Sequence, residues 1–126
     1  MYNYSDAWFL AALILIKDWA SLQKVIAFGD WLDHAIFTQK EINDALSVLT
    51  PLGYVEINHK KEMRATEKAY NLCNSGFNKA GLFDIVSLLL DNLKSMPFVE
   101  QPNKVVFFTK DEIKKAYDQY VGKDKK

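Results

Sequence analysis

Side chains able to do chemistry are few in this sequence and, with one exception, scattered. His34 follows Asp30 and Asp33, and positions 30 and 34 share a helix face, which sketches a metal or acid–base cluster. A histidine at a helix C-terminus is also what the helix dipole favours unaided, and that structural reading is the simpler one. The second histidine, His59, lies 25 positions further on. Cys73 sits among Tyr70, Leu72 and Phe77 with no histidine near it in sequence, as a half-buried structural thiol would. No Gly-rich phosphate loop, zinc-ligand spacing or Gly-x-Ser-x-Gly elbow is present. These residues argue against an enzyme and call for no cofactor and no metal. The exception is the stretch 59–64, where His59, Lys60, Lys61 and Arg64 outweigh Glu62, a set suited to phosphate contacts. Upstream, Gln39 and Asn43 carry amides of the kind that read adenine, beside Lys40 and Ser47. Amides are equally at home on a solvated helix start, and lysines on a hairpin tip equally serve solubility alone.

The element that must position both sets runs from Phe37 to Arg64. Thr38 and Glu41 have capping-box spacing, and Phe37 with Ile42 can staple the first turn. Ile42, Ala45, Leu46 and Leu49 recur at helical spacing and define one apolar face. With that face inward, Lys40, Asp44, Ser47, Val48 and Pro51 fall outward, flanked by Gln39 and Asn43. Pro51 stops the helix near Leu49 or kinks it into a last turn, and Gly53 supplies a left-handed terminus. Tyr54–Asn58 and Glu62–Ala65 read as two short strands joined at Asn58–Lys61.

Length and charge bound the rest. The chain has 126 residues, one domain's worth (1–126), and 49% hydrophobic content suffices for a core. Formal net charge is zero, so no global field announces nucleic acid. Charge is uneven, however: residues 1–50 sum to −3, 51–80 to +2 and 81–126 to +1, so the basic excess falls on the hairpin. A single cysteine and a start without a basic signal region fit a cytoplasmic protein. Ala7–Ile16 is an unbroken apolar run of ten residues. As a helix that spans ~15 Å, against the roughly 20 residues a bilayer needs. A buried helix is expected, not a membrane span.

That first helix is expected from a Ser5 cap to about Trp19 (5–19), apolar nearly all round and therefore covered on every side. Either the C-terminal helices of the same chain or a homodimer seam can supply the cover. A second helix is expected over Leu22–His34 with Ser21 as N-cap and Leu22, Val25, Ile26, Gly29 and Leu32 as its inner stripe. After the hairpin, Thr66 caps a helix to about Ser75, stopped by Gly76. An apolar helix follows from Leu82 to Leu93, ending at Met96-Pro97, then a strand over Lys104–Phe108. The last helix starts at Thr109, where Phe-Thr-x-x-Glu-Ile-x-x-Ala repeats the pattern of 37–45. Those positions are the ones a capping box plus staple demands, so convergence is preferred to internal duplication.

Roughly Leu22 to Gly76 resembles the winged-helix DNA-binding domains of bacterial transcription regulators, of the multiple-antibiotic-resistance and phenolic-acid-response types. The residues carrying the resemblance are Phe37 to Ile42, Leu46, Leu49, Leu52-Gly53-Tyr54-Val55 and Ala65-Thr66-Glu67-Lys68-Ala69. The resemblance implies an α+β, mainly α, fold: a winged helix-turn-helix core (22–76) with an extra N-terminal helix and a C-terminal strand-plus-helices extension (77–121). It implies a homodimeric DNA-binding regulator. Gln39, Lys40, Asn43 and Ser47 would lie on the recognition helix, and His59, Lys60, Lys61 and Arg64 on the wing. The chain departs from that pattern in two ways. Only 15 positions separate Thr38 from Gly53, room for one helix, and that helix holds Lys40 against Glu41 and Asp44 with no arginine for guanine. A winged-helix protein-interaction or assembly module without DNA binding is therefore the alternative expectation.

Overall fold

Helix α1, Tyr4–Ile16, is the hub of the fold rather than an addition to it. The computed structural model describes residues 1–73, 85–99 and 106–122. In chain order the elements are α1, α2 (Leu22–Asp33), α3 (Gln39–Leu49), β1 (Val55–Ile57), β2 (Met63–Ala65), α4 (Glu67–Asn71), α5 (Ile85–Lys94) and α6 (Lys110–Val121). The architecture is α+β and mainly helical, with a small antiparallel sheet. No helix among the described residues is long and apolar enough to cross a membrane.

Every residue of α1 from Asp6 to Ile14 is buried. Its cover comes from α2, α3, α5 and β2 of the same chain. Of the two covers left open by the sequence, the intrachain one is observed over Asp6 to Ile14. Sinking Trp8, Phe9, Leu10, Leu13 and Ile14 contributes on the order of 8–15 kcal/mol gross, an upper bound set by an extended unfolded chain. The start and stop differ from expectation. Asn3, not Ser5, caps the helix, because Asp6 stands three positions on and completes the box. Ser5 instead donates its hydroxyl to Glu41 Oε2 at 2.8 Å. The helix ends at Ile16, short of Trp19, with Lys17 left-handed at φ 67°.

Helix α2 has the Ser21 cap and the expected inner stripe, all five residues being buried. Gly29 in that stripe leaves room for the side chain of Phe37. The ring of Phe37 lies where a Cβ would come within 2.2 Å of Phe37 Cε2. The Trp8 indole packs on the same ring, centroids 3.8 Å apart, and donates to the Gly29 carbonyl at 2.9 Å. His34 closes α2 in the left-handed region at φ 53°.

Helix α3 starts with the Thr38–Glu41 capping box, with Phe37 and Ile42 both buried as a staple requires. It stops at Leu49, and Gly53 at φ 87° turns the chain into the hairpin. The motifs on either side of the hairpin lock together. Thr66 Oγ1 donates to the Gly53 carbonyl at 2.6 Å, and Lys68 Nζ to the Leu52 carbonyl at 2.7 Å. Strands β1 and β2 pair with Val55 opposite Ala65 and Ile57 opposite Met63. Ala20, between α1 and α2, adds a one-residue bridge, exchanging two backbone bonds of 2.7 and 2.9 Å with Met63.

Beyond the hairpin the sequence expectations hold less well. Helix α4 ends at Asn71, not Ser75, while Gly76 and the expected start at Leu82 lie outside the described residues. Of the expected strand 104–108, residues 106–108 are described and form no strand. They are held by side chains of α3 instead of a ladder.

Candidate interaction surface around the third helix

Gln39, Asn43 and Ser47 follow one another at i, i+4 and i+8 and so lie on one stripe of α3. The sequence places that stripe toward solvent. The structure does not: Asn43 is 7% exposed and Ser47 4%. For Asn43 the cause is the segment 106–108, which returns across α3. Asn43 Oδ1 accepts from the Phe107 and Phe108 amides at 2.8 and 3.0 Å, and its Nδ2 donates to the Phe108 carbonyl at 2.9 Å. Gln39 Nε2 donates to the same carbonyl at 3.3 Å. A buried amide side chain must be paired, and here backbone supplies its partners. Asn43 and Ser47 are thus interior residues and Gln39 is half-buried, a correction to the outward recognition face. Lys40 does stay exposed, in an ion pair with Asp44 one turn on.

On the hairpin, two of the four expected contact residues are engaged within the chain. Lys61, left-handed at φ 61°, donates to the Phe107 carbonyl at 3.0 Å and to Glu112 Oε2 at 2.9 Å. Its ammonium also lies 5.4 Å from the Phe108 ring centroid. Arg64 pairs with Glu56 at 3.1 Å and stacks over the Trp19 ring at 4.4 Å. The charge of Arg64 is thus met within the sheet, Glu56 lying directly opposite it in the register, and that of Lys61 by α6. His59 and Lys60 are left exposed at the tip.

The opposite wall is α6, which packs on α2. Its Thr109–Glu112 capping box and the buried Phe108 repeat the solution used at Thr38–Glu41 and Phe37. The Glu112 carboxyl is held below its usual range, first by the Thr109 backbone amide and next by Lys61. A groove of about 510 Å³ runs between residues 36–39 and α6, with Ile36, Phe37, Ile113 and Tyr117 against Lys110 and Lys114. Periodicity within α3 carried no sign of this wall. The Phe-Thr start at 108–109 signalled that Phe108 is buried, but not against which helix.

The remaining chemistry-bearing residues have structural tasks. Asp30 accepts from the Tyr120 hydroxyl at 2.6 Å and Asp33 from Tyr4 at 2.8 Å. Both phenols are pushed up as a result, Tyr120 mainly through that bond, and Tyr4 to about 12 through burial and then its bond to Asp33. His34 is exposed, and no group of three ligating side chains that could hold a metal ion occurs among the described residues. Burial raises the half-buried Cys73 thiol to about 11, so it is a weak nucleophile. No family model, curated protein or solved structure matches the chain.

Proposed function

We propose that the chain is a winged-helix protein-interaction or assembly module that does not read DNA through α3. The capped α3, its Leu-Gly-Tyr-Val exit and the hairpin latched to Ala20 support the winged-helix part of this reading. One observation carries the rest: the amide of Asn43, the best-placed reader of a base edge, spends its bonds on the backbone of Phe107 and Phe108. An α3 stripe closed by its own chain offers a major groove only Lys40 beside Asp44. Zero net charge and cations already matched by Glu56 and Glu112 leave little electrostatic attraction for a duplex.

A salt titration of duplex binding, followed by fluorescence anisotropy, tests this. The module reading expects no saturable binding at ~50 mM salt. Binding that falls by orders of magnitude between ~50 and ~200 mM would signal several phosphate contacts and overturn it. A second reading, a homodimeric DNA-binding regulator, is favoured by the exposed His59 and Lys60 at the hairpin tip. On that reading Lys60→Glu lowers duplex affinity and flattens the salt slope by about one to two counterions.

A further inference from the structure

We infer that the groove between residues 36–39 and α6 docks an acidic amphipathic peptide segment of a partner chain, an inference that rests on the interaction-module reading. Its apolar surface comes from the half-buried Ile36, Ile113 and Tyr117, over the buried Phe37, and the charged residues lining it are Lys110 and Lys114. No carboxylate lines it. This combination sets it apart from the other described hollows. The one beside Lys60 and Lys61 includes Glu62 and Glu112, and the one at Arg64 includes Asp18, Glu56 and Glu67, so both are already charge-balanced. The one at Ala27, Phe28 and Trp31 has no charge to choose a partner.

At about 510 Å³, the groove falls in the range of ligand-sized sites, ~300–1,000 Å³. Its form suits the helix-in-groove mode, with apolar anchors spaced one turn apart. Lys114 bonds Asp118 at 2.9 Å, yet its side chain is 75% exposed. Lysines four apart on α6 match carboxylates one turn apart on a docked helix. Nucleic acid would satisfy the lysines but leave the apolar floor wet, so a peptide with both features fits better.

The probe is a fluorescein-labelled peptide of about 11 residues, three helical turns, with Leu anchors on one face and Glu elsewhere. A second peptide keeps the Leu anchors and replaces Glu by Lys. Titration into the full 15N-labelled chain should perturb Ile36, Thr38, Ile113 and Tyr117 amides and give saturable anisotropy. The Lys110→Glu, Lys114→Glu double variant, whose thermal melt checks folding, should bind at least roughly tenfold more weakly, ~1.4 kcal/mol. The Lys-substituted peptide should not saturate. Absence of saturation at about 1 mM acidic peptide (a Kd weaker than ~1 mM, or ~4 kcal/mol of binding free energy), equal binding of both peptides, or perturbations centred elsewhere would each overturn the inference. Failure here with no duplex binding sinks the groove alone, whereas salt-dependent duplex binding sinks the module reading beneath it.

Discussion

Truncating Asn43 to alanine separates a residue that holds the chain together from one displayed for a partner. The side chain accepts from two backbone amides and donates to one carbonyl, at 2.8, 3.0 and 2.9 Å. After Asn43→Ala the half-buried Phe107 amide can turn to water, while the Phe108 amide is buried and the Phe108 carbonyl keeps Gln39. Two recoverable bonds at ~0.5–1.5 kcal/mol each, plus ~1–3 kcal/mol for one stranded buried donor, give a loss of about 2–6 kcal/mol. With an m-value of roughly 2 kcal/mol/M in urea, the unfolding midpoint should drop by about 1–3 M without a change in slope. Lys40→Ala on the exposed side of the same helix is the control. It removes one i, i+4 ion pair and should cost no more than ~0.5 kcal/mol. If the two variants lose the same small amount, Asn43 is a surface residue and the closed α3 stripe is wrong.

Other outcomes follow from the same contacts. Gly29→Ala drives a methyl toward Phe37; the resulting overpacking, ~1–3 kcal/mol, should outweigh the helix-propensity gain of ~1 kcal/mol, and a thermal melt should show net destabilisation. Thr38→Ala and Thr109→Ala each delete one capping box, and chemical denaturation should show about 1 kcal/mol lost in each. Glu112 has a depressed folded pKa, so its contribution is present above the unfolded carboxylate range and is lost as pH falls through the folded value. Acid titration of stability should accordingly be flatter below about pH 4.3 for Glu112→Gln than for the parent. At pH 8 the native Cys73 thiol, raised from 9.0 to about 11, should react with iodoacetamide about 100-fold more slowly than a free cysteine. Equal rates before and after denaturation would contradict its burial.

The parts of the fold fixed by neighbours in sequence were legible. Ser21, Thr38, Thr66 and Thr109 all cap helices where their spacing placed them, because a cap bonds within three residues. The cap of α1 was misplaced at Ser5, although the spacing distinguishes the two: Asn3 has Asp6 three positions on, whereas Ser5 has Trp8. The α2 stripe was readable because one helix face meets one core. The α3 stripe was not, because its polar side meets a second segment 64 and 65 positions away. A buried asparagine and a solvated one have the same letter. Pairing partners decide between them, and those depend on how the C-terminal segment returns. The charges of the hairpin were visible, but not that Trp19 and Glu112 would occupy Arg64 and Lys61.

The burial of α1 by elements from both ends of the chain has a consequence for synthesis. Helix α5, part of its cover, is completed only at Lys94, nearly eighty positions after Ile16. At ~5–20 residues per second that leaves on the order of ten seconds between the two. Throughout that interval the ribosome-tethered chain displays the ten apolar residues Ala7–Ile16 with an incomplete sheath. Shortening the gene from its 3′ side so that α5 is lost should therefore yield inclusion bodies rather than a smaller folded unit.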